Sequence, residues 1–451
     1  MSFPKDFVWG AAAASYQIEG GAAEDGKGAS VWDMFCRKPG AIWQGQTGDV
    51  ACDHYHCFKD DVALMKGMSL PAYRLSVSWP RLLPKGTGQI NPKGMAFYDA
   101  LIDELLAAGI TPYVTLFHWD YPYDLYCRGG WLNPDSPLWF AEYADLVVRR
   151  LSDRVQQWMT INEPQVFVGN GHQDGNHAPG DRLGRAQVLR VMHNVLLAHG
   201  RAVQAIRAGA KTPPLVGFAP CGAVKIPASG RPEDIEAARQ AMFAVTGPDM
   251  WNFAWFSDPI CLKRYPPDGA ALYEAVMPSI GPDDMDLIGQ PLDFYGANIY
   301  SGVYTRAGSA GRPEDVPLPP GHALTGYLWQ VTPEALYWGP RFLWERYGKP
   351  IFITENGMAN VDWVARDGRV HDPQRIDFTT QYLLALKRAI DDGVPVKGYF
   401  HWSILDNFEW AAGFQQRFGL IHVDYATRRR TLKDSAYWYR DVVETNGANL
   451  I

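Results

Sequence analysis

The chain is predicted to fold as a single (β/α)8 barrel with elaborated loops after its strands, on three observations. Short β-branched or aromatic runs that end in polar residues recur eight times along the sequence. Between them lie longer stretches with apolar residues at helical spacing, the alternation that parallel strands joined by crossover helices produce. No Gly/Ser linker or change of composition divides the 451 residues, a length that one barrel with long loops accommodates.

The predicted strands are 7–10, 72–76, 113–117, 158–162, 215–219, 294–298, 351–355 and 397–402. Before the third, Leu101, Ile102, Leu105 and Leu106 share one helical face, and Gly109 marks the stop. A second helix is expected over 141–151 before the fourth strand, and a third over 379–390, where Gly393 and Pro395 break the pattern. The Pro/Gly-rich stretches 225–232 and 307–321 are expected to be loops at the barrel rim.

Composition narrows the function classes. Hydrophobic residues make up 47% and charged residues 20%, as in a globular protein with a large core. The formal charge of -7 comes without a sustained basic cluster, which argues against nucleic acid as a partner. No apolar run reaches the ~18 residues of a membrane span, and the N-terminus lacks the pattern of a signal peptide, so no membrane association and a cytoplasmic location are expected. The six cysteines are widely spread and are expected to be free thiols. For Cys52-Asp53-His54-Tyr55-His56-Cys57 a structural role is favoured over a metal site, because zinc ligands come in paired spacings with a second pair elsewhere. Aromatic content is high at 13%, with 17 Trp and 22 Tyr, and indole faces stack well on the C–H faces of sugars; a large buried core would use the same residues.

In a barrel the chemistry sits at the C-terminal ends of the strands. Five ends are polar here: His118-Trp119-Asp120, Asn162-Glu163-Pro164, Asn298-Ile299-Tyr300, Thr354-Glu355-Asn356-Gly357 and Trp402-Ser403. Two of them carry a glutamate directly after an apolar strand, so Glu163 and Glu355 point toward one mouth. A carboxylic acid facing a carboxylate is the equipment of glycoside hydrolysis: one protonates the leaving oxygen, and the other attacks the anomeric carbon or activates water. Separations of ~5–5.5 Å or ~6.5–9.5 Å distinguish retention from inversion, and spacing along a chain leaves that choice open. A lone glutamate after a strand is better explained by a helix cap or a rim ion pair; several such ends on one barrel shift the balance toward chemistry.

From Phe7 to about Tyr439 the sequence resembles glycoside hydrolase family 1, the β-glucosidase family. The resemblance is carried by residues 7–20, by Tyr73-Arg74-Leu75-Ser76-Val77-Ser78-Trp79-Pro80-Arg81, Phe117-His118-Trp119-Asp120, Thr160-Ile161-Asn162-Glu163-Pro164 and Ile353-Thr354-Glu355-Asn356-Gly357, and by residues 402–410. It implies a retaining double displacement with Glu355 as nucleophile and Glu163 as acid/base, with Arg74 and Tyr300 beside the nucleophile. It further implies that Asn162 donates to the sugar 2-hydroxyl, that Gln17, His118, Glu409 and Trp410 take the outer hydroxyls, and that Trp402 lies under the ring with a cis bond to Ser403. Trp119, Asn298 and Phe418 complete the implied sugar site, and Trp329 the leaving-group side.

Family members acting on 6-phosphosugars carry a small residue where this chain keeps Glu409, and myrosinase-like members replace the acid/base with Gln where this chain keeps Glu163. The expected substrates are therefore unphosphorylated β-glucosides and cello-oligosaccharides such as cellobiose, with no cofactor or metal; galactosides and fucosides stay open, as does the oligomeric state. A transglycosidase using the same glutamates and a non-catalytic sugar-binding barrel are the rival readings. Gln165, Ile299, Gln330 and the stretch 121–127 depart from the family pattern and leave the leaving-group preference open.

Overall fold

The computed structural model describes residues 2–450. Its centre is a parallel sheet of eight strands, Val8–Ala12, Ala72–Ser76, Thr111–Phe117, Gln157–Asn162, Leu215–Ala219, Tyr295–Asn298, Ile351–Asn356 and Val396–Trp402. Numbered in chain order they are hydrogen-bonded as 5-4-3-2-1-8-7-6. The remaining seam, between the fifth and sixth, is joined by Asp293 N donating to Val216 O at 2.8 Å and Asn298 N to Pro220 O at 3.1 Å. The sheet thus curls into the expected barrel.

The helices that carry the chain back between strands follow their local signals. Pro92–Ala107 starts with Pro at its first position and Asn91 Oδ1 accepting from Lys93 N at 3.2 Å, and Gly109 follows it at φ +80°. Ser136–Leu151 and Pro373–Asp391 extend the predicted second and third helices toward the N-terminal side, and Arg185–Gly209 packs against Ser136–Leu151. Their apolar faces build one large cluster outside the barrel, with Trp79, Trp158, Trp255 and Tyr143 fully buried. A smaller cluster fills the interior, in which Ala12, Ala72 and Ala219 alternate with Tyr113, Phe294 and Phe400. Small residues leave room for the rings: at Gly217 a Cβ would stand 2.3 Å from the Phe294 ring.

Two stretches expected to be loops are partly ordered as sheet. Val224–Pro227 pairs in parallel with Gly302–Ala307, which pairs antiparallel with Pro313–Asp315. These strands belong to the loops after the fifth and sixth barrel strands, neighbours across the closing seam but about 75 residues apart in the chain, so no local alternation announces them, and Pro313 stands at the first position of an edge strand, where its missing N–H is harmless. The six cysteines are unpaired thiols. In the 52–57 cluster Cys52 Sγ donates to Asp406 O at 3.0 Å and His54 Nδ1 meets Asp61 Oδ2 at 2.8 Å. Among the described residues no helix is long and apolar enough to cross a membrane.

Candidate active site

The second, fourth, sixth and seventh strands deliver Arg74, Asn162, Asn298 and Glu355 to one buried network. Arg74 is its hub. Its Nη1 donates to Glu355 Oε1 at 2.5 Å and to Thr354 O at 3.1 Å, its Nη2 to Asn162 Oδ1 at 2.6 Å and its Nε to Thr115 Oγ1 at 3.2 Å. The second oxygen of Glu355 accepts from Tyr300 OH at 2.7 Å. Burial raises the Glu355 carboxyl, and the charge of Arg74 followed by the hydrogen bonds of Tyr300 and Arg74 opposes that rise. A carboxylate so held keeps one fixed orientation in a dry site.

Glu163 lies in a different environment. It follows the fourth strand at φ +42°, its N–H donating to Ala219 O at 2.7 Å, and its Oε1 accepts only from the neutral amide of Asn298 at 3.0 Å. Burial, then the charge of Glu355, pushes Glu163 well above the usual carboxylate range. One carboxyl is therefore tied to a cation and the other to an amide, and the shared proton belongs on Glu163. Trp119 at φ +79° and Trp410 at φ +51° are held in the same sparsely allowed region as Glu163. Such conformations cost about 1–3 kcal/mol each and cluster where surrounding structure demands an exact side-chain direction.

Asn298 Oδ1 accepts from Thr354 Oγ1 at 2.6 Å, which turns its Nδ2 toward both Glu163 and Asn162 Oδ1, each at 3.0 Å. The carbonyl of Asn162 is thus filled by Arg74 and Asn298, and its Nδ2 donates to His118 Nε2 at 3.1 Å. His118 is accordingly neutral, and burial with the charge of Arg74 keeps it well below the usual imidazole range. On the far wall Gln17 Nε2 reaches Asn407 Oδ1 at 2.9 Å, Phe408 O at 3.0 Å and Glu409 Oε2 at 3.3 Å, while its buried Oε1 has no protein partner. Burial and the charge of Glu355 push Glu409 up to about 8.

These groups surround a pocket of about 430 Å³ whose lining includes Glu163, Glu355, His118, Glu409, Trp402 and Trp410. His118 stacks between Trp402 and Trp410, with interplanar angles of 15° and 18°, and the Trp402–Ser403 bond is cis. Trp119, Asn298, Tyr300, Trp329 and Phe418 also line the pocket, and buried Gln17, Asn162 and Arg74 adjoin it through their hydrogen bonds to Glu409, His118 and Glu355. The indole N–H of Trp119 donates to Asn162 O at 3.0 Å, so its ring and not its donor faces the cavity. The atypical stretch 121–127 does not line it.

Several lining residues escaped the sequence reading. Tyr327 stacks on Trp329 at 4.9 Å and 8°, and Trp251, Cys221 and Val166 line the same pocket. Their signal is weak: Tyr327 and Trp251 are aromatics in irregular loops, Val166 lies four residues past the fourth strand, and Cys221 lies two past the fifth, whose end carries no polar motif. Gln165, fully buried, accepts from Cys221 N at 3.3 Å and donates to Asn252 O at 3.4 Å.

Residues 1–448 match glycosyl hydrolase family 1. Among curated proteins the chain is 43% identical to β-glucosidase A of Thermotoga maritima, over 99% of this chain and 98% of that one. It is 44% identical to β-glucosidase A of Acetivibrio thermocellus, over 99% of both. Among solved structures, the β-glucosidase from Thermotoga maritima in complex with glucoimidazole superposes with a TM-score of 0.91 at 43% identity, covering 99% of each chain.

Proposed function

The chain belongs to glycosyl hydrolase family 1, and from that premise we propose that it is a retaining β-glucosidase that removes terminal non-reducing β-D-glucosyl residues, with Glu355 as nucleophile and Glu163 as acid/base. The observation that carries the assignment is the asymmetry of the two carboxyls: Arg74 and Tyr300 hold Glu355, while Glu163 is pushed well above the usual carboxylate range and meets only an amide.

Glu163 gives its proton to the glycosidic oxygen as a carboxylate oxygen of Glu355 attacks the anomeric carbon. The bond to the leaving group breaks, and a glycosyl ester of Glu355 forms. With Glu355 neutralised, the repulsion that raised Glu163 disappears, and Glu163 is left a carboxylate able to take a proton from water. That water opens the ester, and glucose leaves with its β configuration. Asn162 Nδ2 turns from His118 to the 2-hydroxyl, and the unpartnered Gln17 Oε1 with Glu409 takes the outer hydroxyls. The carboxyl of Glu409 excludes a phosphate from its position, which supports unphosphorylated glucosides, cellobiose among them, as substrates.

The test is a panel of aryl β-D-gluco-, galacto-, fuco- and xylosides, with proton NMR of the sugar first released. The β anomer of glucose is expected first; initial release of the α anomer would overturn the retaining assignment, and inertness toward the whole panel would overturn the enzyme.

A further inference from the structure

Asp120 follows His118 and Trp119 beyond the third strand, yet it does not line the pocket that they line. It is buried, and its Oδ1 meets no protein donor among the described residues. Burial lifts its carboxyl to about 7; hydrogen bonding from Ser78 opposes that rise, the charge of Glu19 adds to it, and Ser15 and Lys27 oppose it. A buried carboxyl costs folding free energy unless its partners compensate, so the contact it does make is informative. Its Oδ2 accepts from Ser15 Oγ at 3.0 Å.

Ser15 opens the turn Ser15–Ile18, which carries Gln17. The turn has four residues and no side-chain cap at Ala14, too short a helix to hold its shape by itself. It is pinned at Ser15 instead: Ser15 N donates to Ser76 Oγ at 2.8 Å, Ser76 Oγ donates to Ser15 Oγ at 3.1 Å, and Ser15 Oγ donates on to Asp120. Ser76 ends the second strand, so the chain of hydroxyls runs from the second strand through the turn to the segment after the third. Asp120 stands two residues after His118, and Ser15 two residues before Gln17. Gln17 and His118 are the side chains to which the glucosidase reading gives the outer hydroxyls of the sugar.

We propose that Asp120 is a positioning residue for recognition of the sugar's outer hydroxyls: through Ser15 it locks the turn that carries Gln17 to the strand end that carries His118. Asp120 touches no sugar itself. A side chain that must meet a hydroxyl at hydrogen-bond distance needs its backbone fixed to a fraction of an ångström, and here one buried acceptor fixes two such backbones at once. Loss of Asp120 should therefore be felt in contacts to the outer hydroxyls, and an amide in its place, which keeps an oxygen to accept from Ser15 Oγ, should serve nearly as well. The inference rests on the glucosidase reading and deepens it.

The experiment compares kcat/KM for p-nitrophenyl β-D-glucoside and its 3-deoxy and 4-deoxy analogues in the native protein and in Asp120→Ala, Asp120→Asn, Ser15→Ala and the Ser15→Ala/Asp120→Ala double variant. Asp120→Ala and Ser15→Ala should each lower kcat/KM on the glucoside by about tenfold, and on at least one deoxy analogue by about threefold or less, because the contact they loosen is already missing there. Asp120→Asn should recover most of the loss, and the double variant should lose no more than Asp120→Ala alone, since both changes break one link. Equal losses on all three substrates, a full loss in Asp120→Asn, or additive losses in the double variant would overturn the role. Ser15→Ala removes a single hydroxyl and carries the test if Asp120→Ala does not fold. Calorimetric binding of glucose to Glu163→Gln, with and without Ser15→Ala, separates this inference from the catalytic one: weaker binding with Ser15→Ala supports the positioning role even if no glucoside is turned over, and equal binding rejects it.

Discussion

Arg74 holds Glu355 Oε1 at 2.5 Å with one guanidinium nitrogen and Asn162 Oδ1 at 2.6 Å with the other. A single buried cation thereby orients the nucleophile and the residue next to the acid/base. Replacing it by Met leaves a buried carboxylate uncompensated, at a cost of about 3–5 kcal/mol. Part of that cost appears as protonation of Glu355. Arg74→Met is expected to lower kcat by roughly 100-fold or more on activated aryl glucosides, and to slow trapping by a 2-deoxy-2-fluoro glucoside in parallel. Trapping at the native rate would detach Arg74 from the nucleophile.

The roles of the two glutamates separate by stereochemistry. Glu355→Gly leaves Glu163 able to assist azide on the vacated face and should yield the α-glucosyl azide. Glu163→Ala still forms the glycosyl-enzyme with a good leaving group and should yield the β-azide. Exchanged products would exchange the assignments. Glu163 must also enter the reaction protonated, so kcat/KM is present below its raised pKa and falls as pH rises through it. That alkaline limb should vanish in Glu163→Ala when a dinitrophenyl glucoside, which leaves without a proton, is the substrate.

Glu409 provides a stability test with a definite sign. Burial and Glu355 lift it from 4.5 to about 8, so between those values the folded chain holds a proton that the unfolded chain has released. Folding is then progressively disfavoured as pH rises through this window. Glu409→Gln removes the linkage, and its urea midpoint should fall less than the native one between pH 5 and pH 8. Parallel slopes for the two proteins would show that Glu409 ionises normally.

What could be read in advance divides along a physical line. The barrel strands at 72–76 and 215–219 fall where their apolar runs end, and the others differ by no more than two residues, because a buried parallel strand is a short β-branched run between polar breaks. Glu163 and Glu355 are legible because two strand ends of one barrel each carry a carboxylate, whereas either one alone would pass for a helix cap or a rim ion pair. The strand Val224–Pro227 is not legible, since its partner Gly302–Ala307 belongs to another loop and only the closed barrel brings the two together. Trp119 was placed at the sugar, but its N–H is used by Asn162 O, a choice that depends on the left-handed backbone at Trp119 and leaves no trace in residue type.

The loop bearing Glu409 and Trp410 hangs on a buried charge cluster. Lys433 Nζ donates to Asp406 Oδ1 at 2.7 Å and to Asp362 Oδ2 at 2.6 Å; all three side chains are inaccessible to solvent. Asp406 also accepts from Gly419 N at 2.9 Å, next to Phe418, and from Arg417 at 2.7 Å, so it fixes both ends of the stretch that lines the sugar pocket. Lys433→Met keeps the volume of the stem and removes the charge shared by two carboxylates. The expected loss is about 3–5 kcal/mol of unfolding free energy by urea titration, because two buried acids lose their common partner. Since Glu409 and Phe418 lie on the segment Asp406 holds, KM for glucosides should rise even at temperatures where the variant stays folded. A variant as stable as the native protein, with unchanged KM, would mean that the remaining Arg375 and Arg417 contacts hold the cluster without Lys433.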